Sequence, residues 1–109
     1  MSILDCRITQ MAIKKQTITP TRSITSEIEA LLNKQIVMEG KSSAAYLSMA
    51  SWCDTQGYSI SAEFLYNHSE EERKHMLKLF RYVNAAGGHA LQPEIEGIKH
   101  TFKSLREVF

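Results

Sequence analysis

Two amphipathic stripes separated by a three-residue break constrain this fold more than any other feature. The first runs Ile28, Leu32, Gln35, Glu39, Ser42, Tyr46, Met49, Cys53. The second runs Ser61, Leu65, His68, Glu72, His75, Leu79, Tyr82, Ala86. In both, the steps alternate between four and three residues, the pattern of a helix packed along one face. Leu31, Ile36, Met38, Leu47 and Ala50 widen the first buried surface, and Phe64, Met76, Phe80 and Val83 flank the second. Glu70, Arg73, Lys74 and Arg81 face away, with Glu70 and Lys74 spaced to pair at i, i+4. Between the stripes lies Thr55-Gln56-Gly57, whose glycine supplies the positive φ that a helix end often requires. So short a break makes the two helices antiparallel neighbours.

The predicted organisation is all-α. An N-terminal arm over 1–22 has β-branched residues, Pro20 and no sustained period, and reads as disordered or loosely attached. One helical domain occupies 23–109: a helix over about 25–54 capped by Ser23 or Thr25, a second over about 59–86 ended by Gly87-Gly88, and an aperiodic connection over about 87–103. Ser104-Leu105-Arg106-Glu107 has the form of a capping box, in which the serine caps the N3 amide and the glutamate reaches back to the serine amide. It marks the start of a third helix at about 104–109, so the sequence reads as a truncated chain. Two amphipathic helices cannot cover their own apolar faces, and a single copy is expected to be unstable, aggregated or oligomeric.

The formal net charge of +1 gives no global pull towards nucleic acid or a membrane surface. The arm is locally basic, with Arg7, Lys14, Lys15 and Arg22 against Asp5. No apolar run approaches the ~20 residues of a membrane span, and the N-terminus lacks the continuous apolar region of a secretory signal. An organellar transit peptide is a minority reading of this acid-poor arm, and Met11 is an alternative start. Cys6 in the arm and Cys53 on the first stripe are not placed to pair, which points to a reducing, cytoplasmic setting.

The chemistry lies in charged residues on the apolar stripes. Burying an isolated charge is costly, so buried carboxylates are normally paired or metal-bound. Glu72-Arg73-Lys74-His75 is a Glu-x-x-His, whose end residues project from one helix face. Glu39 lies 17 residues before Gln56, and Glu72 lies 16 after it. At about 1.5 Å per residue these levels differ by only ~1.5 Å along the hairpin. Glu39, Glu72 and His75 therefore meet at one height. Oxygen and imidazole donors suit iron and manganese, and zinc could also occupy them. Tyr46, seven residues from Glu39, points to the same side, where a phenol could hydrogen-bond a ligand or donate an electron. Taken alone, a Glu-x-x-His is more often a solvated helix face; the conjunction of three ligand-type residues favours a metal. His68 reads as a structural or supporting histidine. His89 and His100 read as exposed, Met38, Met49 and Met76 as core, and Trp52 as a packing anchor near the hairpin end.

With those residues in view, residues 23–109 resemble a ferritin of the bacterial non-haem type. The resemblance is carried by Leu32-Asn33-Lys34-Gln35-Ile36-Val37-Met38-Glu39, by Tyr46-Leu47-Ser48-Met49-Ala50-Ser51-Trp52-Cys53, and by Phe64 through Met76. It implies the first antiparallel hairpin of a four-helix bundle, the long connection and the start of a third helix. It implies that Glu39 and His75 hold one iron of a di-iron centre, that Glu72 bridges both irons, that Tyr46 stands beside them, and that Glu71 helps form a third iron site. The implied activity is that of an oligomeric ferroxidase. Fe(II) is oxidised by O₂ or peroxide, and the ferric product is mineralised inside a 24-subunit shell, with no nucleic-acid or membrane partner. The resemblance also implies a further glutamate ligand from a third helix, which these residues do not reach.

Two other readings stand beside it. A two-helix ferritin-like protein could complete a di-iron site by dimerising, as encapsulated ferritins do, although the capping box at Ser104 argues against this. A metal-free helical interaction module would need none of the three ligand-type residues.

Overall fold

A computed structural model describes residues 21–109 of the chain. Residues 1–20, most of the arm expected to be loose, lie outside the described residues. The elements are α1 (Ser26–Thr55), α2 (Ser59–Ala85) and the short α3 (Leu105–Val108), and there is no strand among the described residues.

The helix ends follow from local chemistry. The Thr25 side chain accepts from the Ile28 amide at 3.1 Å, satisfying one of the unpaired donors at the start of α1. Glu27 and Glu29 in the first turn complement the helix dipole. At the far end Gly57 takes φ +86°. The Tyr58 amide donates back to Cys53 O at 2.9 Å and the Gly57 amide to Asp54 O at 3.2 Å, the two bonds of a Schellman cap. Gly87, at φ +89°, closes α2 in the same way, with Gly88 N–H to Val83 O at 2.9 Å and Gly87 N–H to Asn84 O at 3.2 Å. The hairpin is also pinned near its turn, where Tyr66 Oη donates to Asp54 Oδ2 at 3.0 Å.

The seam between α1 and α2 is lined by both small and large residues. Ile36, Gly40, Ala50 and Cys53 from α1 are buried, as are Ala62, Leu65, Ser69, Met76 and Val83 from α2. At mid-seam Ser43 Oγ donates to Ser69 O at 2.9 Å, and Ser69 Oγ donates to Ser43 O at 2.7 Å. These reciprocal bonds satisfy two hydroxyls that would be costly to bury unpaired. Ile36, Leu65 and Val83 are the large residues sealed completely, each stabilising the fold by about 1.5–3 kcal/mol through burial.

This seam lies one position to the side of the stripes expected from sequence. Ile28 and Tyr82, taken there as buried, are exposed, as are the flanking Leu31, Met38, Leu47 and Phe64. The buried line combines Ile36, Leu65, Met76 and Val83 with the smaller Gly40, Ala50, Ala62 and Ser69, and the small residues carry little apolar signal in sequence. Of the stripe residues Cys53, Leu65 and Ala86 are buried, while Ile28, Gln35, His75 and Tyr82 lie on an open side of the hairpin. Met76 is buried and Met49 half-buried, while Met38 is exposed.

The opposite side is covered by the connection. Asn33 Nδ2 donates to His89 O at 3.0 Å, and Asn33 Oδ1 accepts from the Leu91 amide at 2.9 Å. Asn84 Oδ1 accepts from the Ala90 amide at 2.8 Å. Pro93 sits where a Cβ on Gly40 would stand, 2.8 Å from its own ring Cγ. His89 and His100 are both exposed.

Arg22, assigned to the loose arm in the sequence reading, is tied down. It pairs with Glu29 at 2.7 Å, and the next residue, Ser23, donates its amide to Ala86 O at 2.8 Å. Arg22 Cα lies 2.5 Å from the Cβ position of Gly87. The expected Glu70–Lys74 pair is not among the ion pairs of the described residues, which join Arg22 to Glu29, Lys99 to Glu107, and His75 to Glu39 and Glu72. The capping box is half as expected. Ser104 Oγ accepts from the Glu107 amide at 3.3 Å, but Glu107 reaches back to the Lys103 amide at 2.8 Å, one residue earlier. Its carboxylate is also drawn to Lys99. Below, Val108 packs with Ala50, Cys53, Ala62 and Leu65, supported by Phe102 and Leu105. Trp52 meets Phe102 edge-on at 5.6 Å, the packing role expected for it.

Gly40→Ala forces the new methyl against Pro93 and Met76. Denaturant unfolding should show a loss of about 1–3 kcal/mol, the usual cost of overpacking, and unchanged stability would mean that the connection lifts away freely.

Candidate metal centre

Glu39 is the fourteenth of the 30 residues of α1, and Glu72 is the fourteenth of the 27 residues of α2. Both lie near mid-length, and antiparallel packing brings them level. His75 follows one turn after Glu72. One ligand atom from each of Glu39, Glu72 and His75 lies within 4.8 Å of the others. His75 Nδ1 is 3.9 Å from Glu39 Oε2 and 3.8 Å from Glu72 Oε2. These distances are too long for hydrogen bonds and leave space between the three groups. The two carboxylates are partly buried, and the imidazole is more than half exposed on the open side of the hairpin.

The carboxylates perturb each other. The interaction of the Glu72 carboxyl with that of Glu39 raises the pKa of Glu72, with desolvation and the Glu39 charge adding to the effect. The same contact lowers Glu39, which is also held by Gln35 and favoured by His75. The first proton taken up by the pair is therefore held more tightly on Glu72 than on an isolated carboxylate. A cation between the carboxylates would replace that proton and relieve the same repulsion. The donor set, two carboxylates and an imidazole, fits iron, manganese or zinc.

Gln35 was on the predicted stripe with no role assigned. Its Nε2 donates to Glu39 Oε1 at 3.1 Å. That leaves Oε2 as the oxygen nearest His75. The signal was in the sequence, since i, i+4 spacing lets glutamine reach a carboxylate one turn on.

Tyr46 and Glu71 stand outside the group of three. Tyr46 is two turns along α1 from Glu39 and packs on His68, with ring centroids 5.4 Å apart. His68 is also held by Phe64 at 4.4 Å, which gives this histidine a packing role. Glu71 is exposed and lines a shallow cavity of about 270 Å³ with Lys74, His75 and Lys78. It therefore flanks His75 on the side away from the carboxylates.

This arrangement can be compared with known proteins. The sequence matches the ferritin-like domain over residues 29–109. The chain belongs to the ferritin-like family. It is 45% identical over 85 residues to a probable bacterial non-heme ferritin-like protein of Haemophilus influenzae, covering 78% of this chain and 52% of that protein. It is 37% identical over 86 residues to a bacterial non-heme ferritin of Campylobacter jejuni, covering 79% and 52%. Among solved structures, Chlorobium tepidum ferritin superposes with a TM-score of 0.69 at 38% identity, over 74% of this chain and 50% of that one. An open-pore ferritin of Archaeoglobus fulgidus superposes with a TM-score of 0.72 at 30% identity, over 78% and 52%. This ferritin-like chain thus spans about half the length of the relatives it matches. Its described residues form one helix hairpin of the ferritin bundle.

In Glu39→Gln, the group that raises Glu72 is gone. The Glu72 pKa should fall towards the ordinary carboxylate range in a carbon-13 carboxyl titration. A Glu72 titration that does not move would assign the shift to burial alone.

Proposed function

We propose that this protein serves iron storage through ferroxidase chemistry, with Fe(II) as substrate. The observation that carries the reading is the convergence of Glu39, Glu72 and His75 in a chain of the ferritin-like family. Glu39 and His75 hold one iron, and Glu72, lying against Glu39 and facing His75, bridges towards a second. Carboxylate donors favour Fe(III) over Fe(II), so they ease the loss of an electron to O₂ or peroxide. Two adjacent irons divide the electrons that the oxidant takes up. Gln35 orients Glu39. Tyr46 stands two turns away on the same stripe as a phenol able to give an electron, and Glu71 draws ferric product from the His75 side towards a third position. Di-iron bundles of this kind use two Glu residues and two Glu-x-x-His motifs from four helices, so the hairpin supplies half of the ligands.

The wider setting is part of the same proposal: a 24-subunit shell that receives the ferric mineral, in the cytoplasm, without nucleic acid or membrane. No helix among the described residues is long and apolar enough to cross a membrane, and the formal net charge is +1.

Anaerobic Fe(II) titration followed by O₂ tests the reading. The chain should bind Fe(II) saturably, and ferric absorption should rise on oxidation. Glu72→Ala and His75→Ala should abolish saturable binding. Gln35→Ala should weaken it about 10–100-fold, the usual effect of losing a group that orients a ligand. Unsaturable iron in the parent chain would favour the metal-free interaction module.

A further inference from the structure

We propose that Lys74, Lys78 and Arg81 of α2 form a binding site for inorganic phosphate beside the metal centre. The site stands on its own residues. Only its meaning for iron rests on the reading above, in which the phosphate becomes a neighbour of the cation at His75.

The first argument is charge without a partner. From Arg73 to Pro93 the sequence has no acidic residue, while Arg73, Lys74, Lys78 and Arg81 are basic. No ion pair among the described residues includes Lys74, Lys78 or Arg81. This holds although Glu70 and Glu71 stand four and three residues before Lys74, at spacings that allow pairing. Lys74 and Lys78 at i, i+4, and Lys78 and Arg81 at i, i+3, place like charges on neighbouring positions, which disfavours the helix slightly. The helix dipole does not account for the row. Its effect falls off within the last turn, and the last turn of α2 has no basic residue.

The second argument is shape. Lys74, Leu77, Lys78 and Arg81 line a shallow cavity of about 330 Å³, with no carboxylate in its wall. Lys74 and Lys78 also line the cavity of about 270 Å³ that borders Glu71 and His75. The two hollows thus share a wall, and the one without Glu71 is the seat for an anion. Lys74 and Arg81 are ~10.5 Å apart along the helix, with Lys78 between them, so their long side chains can converge on one tetrahedral anion. Each lysine brings three donors on a compact charge, and arginine brings a planar fork that matches two phosphate oxygens. Such charge-assisted bonds are roughly twice as strong as neutral ones.

The third argument is position. Lys74 adjoins His75 in sequence, and Lys78 follows His75 by three residues, one turn along the same helix. Three unbalanced positive charges at that range oppose any cation held by Glu39, Glu72 and His75. A phosphate seated on the row cancels that opposition and sets an oxyanion about one turn from the imidazole.

The test uses the whole chain, stripped of metal with chelator and titrated with inorganic phosphate under phosphorus-31 NMR. The expected result is saturable binding of one phosphate per chain, weakening as sodium chloride is raised. Lys78→Gln should weaken it at least about tenfold, the effect of losing a hydrogen bond to a charged group. Lys74→Gln and Arg81→Gln should act in the same direction. Lys103→Gln removes the same charge from the exposed connection and should leave the affinity unchanged. Co(II) added next should broaden the bound-phosphate resonance, and Glu72→Ala should remove that broadening. Binding that never saturates, or an equal loss in Lys103→Gln, overturns the site in favour of diffuse attraction. Saturable Co(II) that leaves the phosphate resonance sharp overturns the placement beside His75. Saturable phosphate with no saturable Co(II) sinks the metal reading and leaves the phosphate site standing.

Discussion

The close approach of α1 and α2 is the constraint on which the rest of the structure depends. Ser43 meets Ser69 at mid-seam, Ala50 packs with Ala62 towards the turn, and Gly40 leaves room for Met76 and Pro93. The crossed bonds between Ser43 and Ser69 fix the helices at a level one turn from the ligand group. A serine pair is a stringent register device. Its two bonds form only when each hydroxyl faces the other helix's carbonyl, and slippage would leave buried polar groups unpaired. With that level fixed, Glu39 and Glu72, one turn further along, come together beside the contact line.

That closeness explains the electrostatics of the site. Two carboxylates that could each have stayed separate on a solvated helix lie together, which raises the pKa of Glu72 and lowers that of Glu39. The hairpin bears this repulsion because the seam and the clasped ends stabilise it independently of the site. His75, on the open side, adds a neutral or charged donor without adding to the crowding. A cation bound there would relieve the repulsion that folding has built between the two carboxylates.

The antiparallel hairpin was legible because the four-three alternation and the short turn act at the level of sequence. The meeting of Glu39, Glu72 and His75 was legible for a related reason: residue counts from a tight turn convert directly into heights along antiparallel helices. The seam was legible in part: Ile36, Ala50, Cys53, Leu65, Met76 and Val83 were expected on the buried surface and are there, whereas Gly40, Ala62 and Ser69 were not singled out. Gly40, Ser43 and Ser69 carry little hydrophobic signal, so the larger residues beside them drew the stripe onto the open side. Ile28 and Tyr82 were assigned to the core for that reason. The role of Gln35 was within reach of its spacing, and the one-residue shift of the Glu107 contact was not, because backbone turns rather than side-chain pattern decide it. The iron chemistry assigned to the three ligand-type residues comes from kinship and donor type, which geometry alone does not supply.

The contact of Arg22 and Ser23 with the end of α2 has a consequence for how the hairpin can move. Gly57 joins the helices at one end, and the segment across Gly87 joins them at the other, so the pair forms a closed frame instead of an open clip. Sliding one helix past the other by a single turn, about 5.4 Å, would have to break both closures at once. Twisting and opening about the long axis remain easier, because they strain neither end. The frame therefore resists the motion that would offset the ligands in height, while allowing the one that widens or narrows the space between them.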